Sequence, residues 1–217
     1  MLIYYYGHAQ FLIESSKGLQ ILTDPYDDRV NFPLKEVKAD IVTVSHDHFD
    51  HCYIQKVTGE PNVIREEGKY DIEGGAISSI KSYHDEEKGV LRGENLIFRY
   101  DLEGLSIAHL GDLGHYPNDE QLEFLKGVDI LMLPIGGKYT VDAKTASKIV
   151  RELKPKITIP MHYKVNRGGL SDVSGLEPFY KEMLPITPTK AKLLRVTKED
   201  IGEFDPLIVL SIKGLDY

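Results

Sequence analysis

Six consecutive residues, His46-Asp47-His48-Phe49-Asp50-His51, constrain this chain more than any other stretch. They follow an apolar run, Ile41-Val42-Thr43-Val44, that reads as a buried strand. Ser45 reads as the cap of a helix that starts just beyond the cluster. The six therefore sit where a strand gives way to a loop, a place where a rigid element holds functional side chains. Residues two apart in an extended segment share a face, so His46 and His48 can address one cation. Asp50 and His51, at the turn, can address a second a few ångströms away. The plain alternative is a solvated polar loop. Three histidines in six residues exceed ordinary usage, however, and histidine is the commonest metal ligand. A structural zinc site leans on thiolates, and no cysteine pairs with the cluster.

The rest of the chain supplies isolated residues at strand ends. Leu2 to Tyr6, Gln10 to Glu14 and Leu19 to Thr23 read as strands, with Gly7-His8-Ala9 a bulge or bend between the first two. His8 has three readings: a satisfied structural histidine, a metal ligand, or a partner that orients one. Asp24 ends the third strand, where Pro25 turns the chain out of the sheet. Residues 26 to 40 read as a loop with a short helix, and Tyr53 to Val57 as helix. Strands are expected near 62–65, 76–83, 95–101, 105–109, 129–134 and 156–160, with closing strands near 193–196 and 207–212. Helices are expected over 119–126, capped by Asn118, over 143–153, and over 176–183. Residues 164 to 175 read as a polar, Gly-rich loop. His84, Gly111-Asp112 and His162 each follow a strand, as does the loop Gly136-Gly137-Lys138-Tyr139 that runs on to Asp142. Singly these are ordinary, since Gly-Asp is a common turn dipeptide.

In order, they form a pattern. His46-Asp47-His48-Phe49-Asp50-His51 resembles the His-x-His-x-Asp-His signature of the metallo-β-lactamase superfamily. Asp24, His84, Asp112 and His162 match that superfamily's remaining motifs. The phrases from Gly7 to Glu14, Thr23-Asp24-Pro25 and Pro160-Met161-His162-Tyr163 are similar to its compact metal-dependent hydrolases, which include ascorbate-6-phosphate lactonase. The resemblance implies an α/β fold, a four-layer αββα sandwich of two mixed β-sheets flanked by helices. It implies two divalent metal ions. One is held by His46, His48 and His84, the other by Asp50, His51 and His162, and Asp112 bridges them. Asp50, Asp112 and His162 are the candidate catalytic residues; His8, Asp24 and Asp142 are candidates for additional ligands or orienting partners. An imidazole-and-carboxylate set suits zinc or manganese first, with nickel or iron next.

Such a pair of ions lowers the pKa of bound water toward 7. The expected activity is hydrolysis by metal-bound hydroxide of a small ester, lactone or amide, β-lactams included. Phosphodiester or RNA cleavage is the second reading, and a non-catalytic metal-binding protein the third. Arg92, Lys138, Tyr139 and Arg167 are candidates for contacting an anionic small-molecule substrate.

Composition narrows this further. The net charge of −8 argues against broad nucleic-acid binding, though nucleic acid stays open as a partner. Cys52 is the one cysteine, so no internal disulfide forms, and it reads as a buried, inert thiol. No signal peptide or membrane span is evident, so the expectation is a single cytoplasmic domain over 1–217, with a homo-oligomer possible.

Overall fold

The computed structural model describes residues 1–32 and 36–215. Strands β1 (Leu2–Gly7), β2 (Gln10–Glu14), β3 (Gln20–Thr23), β4 (Ile41–Thr43) and β5 (Asn62–Ile64) belong to a first sheet. A second sheet holds β6 (Gly68–Ile72), β7 (Gly75–Tyr83), β8 (Glu94–Leu102), β9 (Leu105–His109), β10 (Ile130–Pro134) and β11 (Ile157–Met161). Strand β12 (Leu194–Arg195) returns to the first sheet beside β1. The orders are β12-β1-β2-β3-β4-β5 and β11-β10-β9-β8-β7-β6.

Alternation along the strands explains the layers. Phe11, Ile13, Ile21 and Ile41 join the core shared with the second sheet. Their neighbours Leu12, Leu22 and Val42 point the other way, into a smaller cluster with Val37, Ala39 and Val44. On the second sheet, α2 (Ala143–Leu153) packs against β10 and against α3 (Leu176–Met183), while α1 (Asp119–Leu125) lies on β7. Asn118 closes a capping box on α1, and Asp142 caps α2 by accepting the Thr145 N–H. The result is the expected α/β sandwich, with few helices. Over the outer cluster of the first sheet lie the ribbon Val37–Lys38 with Val57–Thr58 and a 3₁₀ turn at Ile54–Lys56.

That 3₁₀ turn corrects the helix expected after the hexapeptide. The His48 carbonyl accepts both the His51 and the Cys52 N–H, closing one tight turn, and the Tyr53 N–H then donates to Pro25 O. The backbone leaves the helical path because these donors are already bound. Ser45 is not a helix cap, since its hydroxyl is bonded to Asp24. Between 26 and 40 a short 3₁₀ turn at Asp28–Val30 is present, whereas 33–35 lie outside the described residues. Strand β6, unforeseen, is a polar edge strand whose Gly68-Lys69-Tyr70-Asp71-Ile72 carries little apolar signal.

Strand direction places the functional residues. Strands β3 and β4 are parallel, and β1 runs with them because both β1 and β3 are antiparallel to β2. In the second sheet β9, β10 and β11 are parallel, and β7 runs with β9 because both are antiparallel to β8. His8, Asp24, the hexapeptide, His84, Asp112, Lys138-Tyr139 and His162 all follow carboxyl ends of these strands. Bonds between the sheets lock the two edges together. Leu96 N–H donates to Ser45 O, and His162 N–H to His8 O, both at 2.8 Å. Gly111 sits at a close approach between the sheets: its φ is +54°, and a Cβ there would lie 2.3 Å from Asn95 Oδ1 and 2.7 Å from Ser45 Cβ.

Phe98 and Tyr100, both fully buried on β8, do different work. Phe98 fills volume, whereas the Tyr100 hydroxyl meets Thr43 Oγ1 at 2.7 Å across the sandwich. Phe98→Ala should cost about 3–5 kcal/mol through the cavity it leaves. Tyr100→Phe should cost about 1–3 kcal/mol through the unpaired Thr43 hydroxyl. Urea unfolding at fixed metal content checks the order, and a larger cost for Tyr100→Phe would contradict this packing.

Candidate metal centre

Asp24 organises the site before any ligand is considered. It stands at the end of β3 with φ +38°, fully buried. Its Oδ1 accepts the Ser45 N–H, and its Oδ2 accepts from the Ser45 hydroxyl and from His51 Nδ1–H, at 2.7–2.9 Å. Burial raises the Asp24 carboxyl, but His51 beside it prevails and holds it below its ordinary range. The Ser45 hydroxyl donates to Asp24 and so accepts from His46 Nδ1–H at 2.9 Å. These bonds fix the tautomers of His46 and His51 and leave their Nε2 atoms facing inward. His84 follows the same rule from the other sheet, with its Nδ1–H donating to Tyr139 O at 2.8 Å.

The inward atoms converge. His46, His48 and His84 bring one donor atom each within 4.8 Å of one another; His8, Asp50, His51 and His162 form a second such group, and His46, His51 and Asp112 a third. Asp112 lies between the first two groups. Its Oδ1 is 3.2 Å from His51 Nε2, and its Oδ2 is 3.1 Å from His84 Nε2 and 3.3 Å from His162 Nε2. Donors on one ion at about 2.1 Å stand about 3.0 Å apart at right angles and about 3.4 Å apart at the tetrahedral angle. The observed spacings fall in that interval. His46 Nε2, His51 Nε2, His162 Nε2 and Asp112 Oδ1 are buried and make no hydrogen bond. Buried polar atoms without partners are rare, and cations held among these groups would satisfy them.

Charge points the same way. Burial lowers His51, but Asp112, Asp50 and Asp24 hold it well above its ordinary value. Burial raises Asp112, but His162 and His51 hold it well below. Burial, then His51, pushes His46 well below, so this imidazole is neutral and free to ligate. The pocket therefore concentrates carboxylate charge among imidazole donors, which is an environment that suits a divalent cation.

All seven expected ligand residues, with His8 and Asp24, meet at this one edge. Asp142 does not join them, because its carboxylate is committed to capping α2. Lys138 and Tyr139 instead bond Asp172, the tyrosine hydroxyl at 2.6 Å, although Tyr139 still reaches the site through its carbonyl. Arg92 lines both the cleft beside His46 and His48 and the cleft beside His84, and Arg167 is exposed and lines neither. Cys52 is half-buried and belongs to none of the three groups.

Four supporting residues escaped sequence reasoning. Ser45 was read only as a cap. Asn95 accepts the Asp112 N–H and donates to Leu110 O and Ser82 Oγ. His109, fully buried, donates from Nε2 to Ala9 O and accepts the Gly111 N–H at Nδ1. Asp85 accepts four backbone N–H groups, from Glu87, Gly89, Leu91 and Arg92, and so shapes the loop after His84. Only Asp85, adjacent to His84 and followed by Gly89 and Gly93, left a trace in the sequence as a turn carboxylate.

Residues 2–162 match the beta-lactamase superfamily domain, and the match ends on His162. The chain belongs to the metallo-β-lactamase superfamily. Within it, the chain is 34% identical to a UPF0173 metal-dependent hydrolase of Thermoplasma acidophilum, covering 74% of this chain and 82% of that one. A candidate zinc-dependent hydrolase of the superfamily from Thermotoga maritima superposes with a TM-score of 0.79 at 31% identity, over 96% of this chain and 97% of that one. Short-form human tRNase Z, at 12% identity and a TM-score of 0.56 over 75% and 92% of the two chains, shares the fold alone. Superfamily membership and relatives designated metal-dependent hydrolases make this chain a metal-dependent hydrolase. No described helix is long and apolar enough to cross a membrane.

Asp85 gives a pH-dependent test. Burial raises its carboxyl, but the four N–H groups outweigh burial and hold it below its ordinary value. A carboxyl depressed on folding stabilises above its unfolded pKa, and that contribution is lost as pH falls through the folded pKa. Asp85→Ala should cost about 1–3 kcal/mol at pH 7. The gap between wild type and variant, read by urea unfolding, should narrow below about pH 4. A gap that widens with acidification would contradict the caging role.

Proposed function

We propose that the superfamily's hydrolytic activity is carried here by two divalent cations acting on a small ester, lactone or amide. The observation that carries this reading is the set of buried, unpartnered donors around Asp112. His46, His48 and His84 would hold the first cation; Asp50, His51 and His162 the second; Asp112, which lies beside ligands of both groups, would serve both. Bound there, the cations act as Lewis acids that lower the pKa of water and stabilise developing negative charge. Zinc or manganese suits these ligands first.

The chain's own residues do the rest. Asp24, Ser45 and the Tyr139 carbonyl fix imidazole orientation, so little reorganisation is needed when the site fills. Asp50, Asp112 and His162 would help to hold the second cation. The larger cleft, about 570 Å³, is lined by His46 and His48 and opens the first position to solvent. That volume suits a small molecule. Its charged lining is mixed, with Arg65, Lys81 and Arg92 against Asp47, Glu66, Glu67 and Glu94. Such a lining disfavours a polyanion such as RNA. Arg92 makes no ion pair among the described residues and lies against the Tyr139 ring at 5.7 Å, so it is free to bind one anionic substrate group.

Turnover on a panel of lactones, carboxylic esters, phosphodiesters and β-lactams tests this reading. The expected preference is for lactones and esters. His48→Ala and Asp112→Ala should each lower kcat/KM more than about 100-fold, since even orienting partners of metal ligands cost 10–100-fold. Circular dichroism should show the fold retained. Full activity in both variants, or turnover of phosphodiesters alone, would contradict the proposal.

A further inference from the structure

We propose that His8 is a fourth protein ligand at the second cation position, beside Asp50, His51 and His162. The assignment rests on the two-cation reading above and extends its ligand set.

Backbone geometry supplies the first argument. His8 sits at the β1–β2 turn, where the register shifts between Tyr5 and Gly7. Its φ is +57°, in the left-handed region that disfavours a side-chain-bearing residue. The surroundings hold it there. Its carbonyl accepts the His162 N–H at 2.8 Å and the Tyr5 hydroxyl at 3.0 Å. One bond comes from β1 and the other from the chain just past β11, so both sheets fix the position of this one residue. Strain kept in this way is characteristic of functional positions.

The second argument is where the ring goes. His8 is 3% exposed, and its ring centroid lies 4.1 Å from that of His162 and 5.0 Å from that of His51. Its Nε2 stands 3.0 Å from Asp50 Oδ2 and donates to it. That spacing is also the separation of two donors at right angles on one ion. The Nε2 proton has somewhere to go, because the His8–Asp50 hydrogen bond is made at Nε2 and the other tautomer carries the proton on Nδ1. A change of tautomer places the proton on Nδ1 and leaves the Nε2 lone pair facing the cation. The imidazole stays neutral, and no proton is gained or lost.

The third argument is the contrast between the two positions. His46 and His84 have their outer nitrogens tied to Ser45 and Tyr139. At the second position His51 is tied in that way, by Asp24, whereas among the described residues neither nitrogen of His162 makes a hydrogen bond, although Asp112 Oδ2 lies 3.3 Å from its Nε2. A position with looser ligands gains most from an additional donor.

The test is cobalt(II) binding to the full-length, chelator-stripped protein, followed by equilibrium dialysis and visible absorption. Wild type, His8→Gln and His8→Phe are compared. Both variants should bind the first equivalent as wild type does and the second at least about tenfold more weakly. The absorption contributed by the second equivalent should change in both. Gln can still donate to Asp50. If His8→Gln keeps wild-type affinity and spectrum at the second equivalent, His8 only positions Asp50 and the proposal fails, whether or not His8→Phe folds. If wild type itself takes up a single equivalent, the two-cation reading fails and this assignment falls with it.

Discussion

Three buried carboxylates in one pocket repel one another, so the fold has to place positive charge among them. Asp24, Asp50 and Asp112 are each less than one-tenth exposed. Desolvation disfavours each as an anion, and yet each is held ionised by the imidazoles around it. Protonated imidazole is one way to meet that demand, as the raised His51 shows. Divalent cations meet it better, because they also satisfy Nε2 atoms that have no other partner. Much of the architecture follows from this requirement. Strands from both sheets run parallel at one edge so that their carboxyl ends can deliver ligands, and Gly111 and the inter-sheet hydrogen bonds hold those ends at the separation the site needs.

Within the site there is a division of labour. Asp24 is not among the grouped donors, yet it ties Ser45, His51 and, through Ser45, His46. Tyr139 does the same for His84 from the second sheet. Asp85 shapes the loop that carries Arg92 to the junction of the two clefts.

Most of the strands, and the meeting of the seven expected ligand residues at one edge, were legible in the sequence, for a definite reason. Strand periodicity and the hexapeptide spacing are local signals, and the remaining ligands lie directly after strands. What stayed hidden depends on contacts between distant segments. Asn95 supports Asp112 only because β8 and β9 pair, and His109 supports Ala9 only because the sheets face each other. Ser45 was misread because a serine before a polar run looks like a helix cap, whereas a buried carboxylate 21 residues earlier claims its hydroxyl. Asp142 was misread in the opposite sense. Its nearness to Tyr139 suggested the site, but the start of α2 claims its carboxylate.

Anomalous diffraction from crystals of the zinc- or manganese-loaded protein tests the central claim most directly. The account predicts two peaks per chain about 3.5–4 Å apart, the separation found in two-metal sites, on either side of the Asp112 carboxylate. A single peak, or peaks away from the edge where β4, β7, β9 and β11 end, would contradict it.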